Sequence, residues 1–250
     1  MENNLLETGA AALLFAVVFL VGGRVRPLRA AGAGRRSVIS FSAGISAAYV
    51  FVHLLPELAG VRRVLTSAAP IELRYEGTEI YFVAMVGFLS FYGLEHLRAH
   101  LHVSSAAGEG ARAGEIGPEF YVHTGGFAAY VWLASYLLLH NLEESPRETA
   151  LYAGALAVHF LTVEHSLHAE HGAAYLRIGR WVLAGMALAG WTAGLMFTLP
   201  HVVIALLVAF ISGAVVMNSA IMELPSEKDG RFLPFLAGAL IYGVILLPLG

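Results

Sequence analysis

Apolar residues run along this chain in blocks about 20 residues long, broken by short polar stretches, and each block predicts a membrane-spanning helix. The blocks fall near 8–23, 38–58, 79–98, 120–141, 149–169, 179–199, 201–222 and 232–249. The last three are separated by little more than Pro200-His201 and the stretch from Pro225 to Arg231, so those helices are tightly connected. The pattern predicts an all-α integral membrane protein of about eight transmembrane helices.

An internal echo adds connectivity. Phe41-Ser-Ala-Gly-Ile-Ser-Ala-Ala-Tyr-Val-Phe-Val-His-Leu-Leu-Pro56 aligns with Phe210-Ile-Ser-Gly-Ala-Val-Val-Met-Asn-Ser-Ala-Ile-Met-Glu-Leu-Pro225, with Phe, Gly, Leu and Pro in register. Matched, Pro-interrupted segments in two halves of a membrane chain are the mark of a transporter built from repeats. A fainter match sets Phe91-Tyr-Gly-Leu94 against Ile241-Tyr-Gly-Val244.

Basic residues orient the array. With the first helix starting outside, the inner loops hold Arg24, Arg26, Arg29, Arg35, Arg36, Arg98, Arg112, Arg177, Arg180, Lys228 and Arg231. The outer loops hold only Arg62, Arg63, Arg74 and Arg147, so both termini are expected on the external side. Residues 1–7 are acidic, unlike the basic start of a cleaved signal peptide, and read as the beginning of a first helix. In this topology the echoing segments cross the membrane in opposite directions. That predicts an inverted 3+2+3 repeat, with spans 1–3 and 6–8 arranged around the central pair 4–5. Residues 1–101 then form the first repeat, 102–118 a Gly-rich cytoplasmic linker, 119–171 the central pair and 172–250 the second repeat, all one transmembrane domain.

Composition agrees. Mean hydropathy is +0.70 and only 13% of residues are charged, about half the share of a soluble domain. A net charge of −3 offers no footprint for nucleic acid, which leaves the lipid bilayer and a cation as the expected partners, with a homodimer as one arrangement. There is no cysteine, so a metal would have to be held by His, carboxylate, Asn or Met.

Ionisable side chains inside a bilayer are costly and mark cavities, partners or ion paths. Span five carries His159, Glu164, His165 and His168, with Glu170 and His171 at its inner end. Glu164 and His168 share one helical face, as do His165 and His168, and His159 lies about 9 Å further along the axis. If spans four and five form a tight antiparallel hairpin centred near residue 145, His123 faces about position 167 and joins Glu164, His165 and His168. Imidazole with carboxylate suits a borderline divalent cation such as zinc or iron. At the outer ends, His140 with Glu144 and His53 with Glu57 are spaced i, i+4 and form a candidate vestibule. Span seven adds Asn218 and, near the inner surface, Glu223. Glu95-His96 and His100 at the inner end of span three read as a solvated helix end, and the three Trp as packing or interface anchors.

Eight spans, external termini, the inverted repeat and His53-Leu-Leu-Pro-Glu57 closing span two together resemble the ZIP family of zinc and iron permeases. His140-Asn141-Leu142-Glu143-Glu144 is similar to that family's span-four motif until Ser145 replaces Gly, but it lies at the end of its span. Span five lacks the family's Pro and its close His-Glu pairs. The resemblance implies a permease for divalent cations, zinc first with iron or manganese as alternatives, working by alternating access rather than as an enzyme. Two other readings use the same residues. One is a membrane metalloenzyme, a hydrolase or di-iron oxidase, with His96, His100, His165, His168 and His171 at the cytoplasmic face. The other is a metal-binding sensor that does not transport.

Overall fold

The computed structural model describes residues 2–24, 33–68, 77–107, 116–140, 146–219 and 231–247, and among them every regular element is a helix. The first is α1 (Glu2–Val21), which tightens into a 3-10 turn, Gly22–Arg24. α2 (Ala33–Ala48) runs without a break through a π-helical segment, Tyr49–Leu54, into α3 (Leu55–Ala68). There follow α4 (Glu79–Ala107), α5 (Pro118–Leu137), α6 (Pro146–Ala174), α7 (Arg180–Met196), α8 (His201–Asn218) and α9 (Phe232–Leu246). Each apolar block therefore contains a helix among its described residues. α4 extends to Ala107, so residues 102–107 of the expected linker are helix instead, and residues 108–115 lie outside the described residues.

Local chemistry explains several boundaries. α5 and α6 each begin on a proline, whose missing N–H would find no partner in a first turn anyway. Pro56 has the opposite effect, because its ring crowds the carbonyl of Val52 and it donates no bond. The chain widens just before it, and the Leu55 amide bonds Val50 O, five residues back. In the echoing segment, the Ser219 amide at the end of α8 is shared between Val215 O and Val216 O.

Among the described residues, three helices are long and apolar enough to cross a bilayer: Arg36–Arg62, Glu79–Val103 and His201–Asn218. Leu5–Val21 and Phe232–Leu246 are apolar but shorter. α5, α6 and α7 fall outside both groups, and α5 and α6 carry His123, His159, Glu164, His165, His168 and His171. Outward faces are apolar: Phe82, Leu89, Trp181, Leu240 and Val244 are all exposed. A soluble protein seldom presents such faces, and together with the spanning helices they make this a membrane-associated helical protein.

α4 lies along α8, α2 along α9, and α5 along α7, while α1 is wedged against α6 and α7. Two of these crossings are built alike. A methyl group at Gly44 would overlap the Phe235 carbonyl of α9, and one at Gly238 would overlap the Phe41 carbonyl of α2. Likewise a methyl at Gly213 would overlap the Ala84 carbonyl of α4, and one at Gly87 the Phe210 carbonyl of α8. Helices in lipid gain no hydrophobic free energy from touching, so close backbone approach at small residues supplies the dispersion contact.

Gly213→Val should lower the thermal unfolding midpoint in detergent by an amount corresponding to about 1–3 kcal/mol, the usual cost of overpacking. Gly93→Ala, where an added methyl meets nothing within 4 Å, should leave it unchanged or raise it slightly.

Candidate metal centre

The polar residues gather in separate groups along the inside of the helical body. The densest is at the ends of α4, α5 and α6. His123 on α5 is fully buried, and its Nδ1 lies 3.0 Å from His171 Nε2 and 3.4 Å from Glu170 Oε2, both on α6. Its Nε2 comes within 2.8 Å of Glu95 Oε1 on α4, an electrostatic contact rather than an aligned hydrogen bond. Arg98 closes the group, its Nε donating to Glu95 Oε2 at 2.9 Å and its Nη1 reaching Glu170 Oε2 at 3.1 Å.

Ligand atoms of His123, Glu170 and His171 all lie within 4.8 Å of one another. Atoms about 2.0–2.2 Å from a tetrahedral ion stand roughly 3.4 Å apart, so the separations of His123 Nδ1 from His171 and Glu170 nearly match what a small divalent cation needs. Glu95 backs the far nitrogen of His123, the carboxylate-behind-imidazole arrangement that orients metal-ligating histidines. The group borders a cavity of about 330 Å³ lined by Arg98, His102, Glu119, Glu170 and His171, which gives it a route to water.

Gly172 shapes this corner. Its backbone is at φ 49°, ψ −115°, a combination that side chains resist, and the chain breaks its helical course there directly after His171. Glu170 and His171 are thereby held in the last regular turn of α6.

The expected partners of His123 are not those observed. α5 leans on α7 and barely touches α6, meeting it through side-chain tips: Tyr130 on His159 and His123 on His171. The close-packed hairpin that placed His123 beside Glu164, His165 and His168 is absent. Splayed helices slip in register, and His123 finds Glu170 and His171, up to a turn beyond the expected position. Glu95 is also corrected, since it turns into the group rather than into solvent, whereas His96 and His100 are exposed. A charged pair at i, i+3 on span three, Glu95 with Arg98, was the available signal.

Elsewhere, Glu164 on α6 is 1% exposed, and its Oε1 lies 3.6 Å from His168 Nδ1. The pair sits against the end of α1, where a methyl at Gly23 would stand 2.7 Å from His168 Nδ1 and 3.0 Å from Glu164 Oε1. His168 also stacks on the buried ring of Tyr175. His165 is partly exposed on α6. His159 and Asn218, both buried, meet at 3.2 Å between Nε2 and Nδ2, with Tyr130 edge-on to the imidazole. His53 and Glu57 approach at 3.8 Å, and Glu57 borders a cavity of about 20 Å³ shared with Tyr49, Tyr130 and Ser212, room for about one water. His140 rests on the Tyr136 ring at 4.8 Å between centroids. Glu144 and Glu223 lie outside the described residues.

Gly172→Ala should strain the backbone by about 1–3 kcal/mol and lower the metal retained through purification, read as zinc per chain by elemental analysis. Gly154→Ala on the same helix, with nothing near the added methyl, should retain metal like the parent protein. No protein-family model, curated protein or solved structure matches this chain.

Proposed function

We propose that this chain is a ZIP-like permease for divalent metal cations, zinc first, set in a lipid bilayer as eight spans with an inverted 3+2+3 repeat and both termini outside. One observation carries the reading. A His–Glu–His group of metal-binding dimensions, with His123 buried and His171 half-buried, borders a polar cavity in a body that has three described helices long and apolar enough to span a membrane. The repeat is supported by the two glycine crossings, in which Phe41 with Gly44 and Phe210 with Gly213 play the same part at equivalent positions of the echo.

Those crossings bear on the mechanism. Each joins a span of one repeat to a span of the other, α2 with α9 and α4 with α8. The repeats therefore do not rock as separate bundles, because that would break both contacts. Motion falls instead between these locked pairs and the group of α1, α5, α6 and α7, which holds most of the polar side chains. A cation enters past His53 and Glu57, with His140 and Glu144 as further vestibule ligands. It then meets His159 with Asn218, Glu164 with His168, and the His123 centre, and leaves through the inner cavity, with Glu223 near the exit.

Proteoliposomes should take up Zn²⁺ saturably, and the order among Zn²⁺, Fe²⁺ and Mn²⁺ names the substrate. His123→Ala with Glu170→Gln should cut the rate at least about tenfold, in line with losing coordinating groups. Undiminished uptake in that variant would remove the centre from the path, and metal bound without uptake by the parent would turn the reading to a sensor. Uptake should also fall as the pH drops from about 7.5 to about 5.5, since protons compete for the imidazole lone pairs.

A further inference from the structure

Arg98 stands in an unexpected place for a cation site. Its guanidinium bridges the two carboxylates of the centre, reaching Glu95 Oε2 at 2.9 Å and Glu170 Oε2 at 3.1 Å. The second oxygen is the same one that lies 3.4 Å from His123 Nδ1. Arg98 thus sits on the Glu170 oxygen that lies nearest to His123 Nδ1, beside the space where a divalent ion bound by His123, Glu170 and His171 would be held.

We propose that Arg98 is a tethered cation that fills the empty centre, and that a divalent ion binds by displacing it. This rests on the metal-centre reading above. Charge explains why a plug is useful. Without Arg98, the partly buried carboxylates of Glu95 and Glu170 would flank the buried His123 ring with no guanidinium between them, an arrangement that partial desolvation makes costly. With it, half of that negative charge is compensated. Arrival of a divalent ion makes the guanidinium surplus, and the repulsion drives it off the shared oxygen. The side chain has somewhere to go, because it already lines the cavity of about 330 Å³ that also carries the carboxylate of Glu119. A monovalent ion would only exchange one positive charge for another, without the chelate and hydrogen bonds that Arg98 makes. Displacement thus selects for double charge. Arg98 is a specificity-determining residue rather than a ligand.

The test is titration of purified protein in detergent with Co²⁺, followed by its visible absorption and by competition with Zn²⁺. Arg98→Gln should bind Co²⁺ roughly tenfold tighter or more than the parent, at the same stoichiometry and with the same spectral shape. Arg98→Lys, whose single ammonium cannot bridge both carboxylates in the same way, should lie between them and serves if the Gln variant folds poorly. Arg177→Gln, on an exposed residue outside the cluster, should change nothing. Methylguanidinium added to Arg98→Gln should weaken Co²⁺ binding competitively and leave the parent unaffected, which a purely structural arginine would not produce. Folded Arg98 variants that bind Co²⁺ no tighter than the parent would overturn the plug while leaving the metal centre standing. Absence of Co²⁺ binding in parent and variants alike would overturn both.

Discussion

Everything in this molecule is hung on backbone-to-backbone approach at glycine. Helices that share a bilayer are not pushed together by water, so they associate where side chains are small enough for carbonyl and Cα to meet. Here that happens at Gly44 and Gly238 between α2 and α9, and at Gly87 and Gly213 between α4 and α8. The α5–α7 crossing repeats the device, with Gly190 against the Trp132 carbonyl. These contacts set which helices are neighbours and leave the pair α5 and α6 splayed. The splay then decides how the polar side chains meet.

The second constraint is charge compensation. A carboxylate or imidazole inside the helical body must find partners, since stranding one costs more than any apolar replacement would. The chain solves this by grouping. Glu95, Arg98, His123, Glu170 and His171 form one network, Glu164 and His168 share another, and His159 bonds Asn218. The first joins α4, α5 and α6 and the last joins α6 and α8, so these two also tie the fold together. The same economy makes the proposed centre responsive, because a network balanced without metal is rebalanced when one arrives.

Much of the architecture was legible before any coordinates. Hydropathy placed a helix in every block, although α3 runs on to Ala68, well past the expected end near 58, and the polar last turns of α4 continue as helix where a linker was expected. The Phe-x-x-Gly echo pointed at the residues that make the two equivalent crossings. Pairing was harder to read. His123 would stand opposite position 167 if α5 and α6 packed as a hairpin across their short connection, but the glycines of α7 hold α5 closer than α6 does. Glu95 read as a solvated helix end for a similar reason: nothing near it in sequence shows that His123 lies across from it.

Sequence by itself determined the helical character, the apolar outer faces, the echo and the set of ionisable residues placed among apolar ones. Those depend on composition and period over one or two turns, which local sequence carries in full. Only the tertiary structure decided which of those residues became partners, that His123 takes Glu170 and His171 rather than Glu164 and His165, and that Arg98 completes the group. Partner choice follows crossing angles and closest approaches between helices far apart in the chain, and a shift of one turn there changes every ligand at the site.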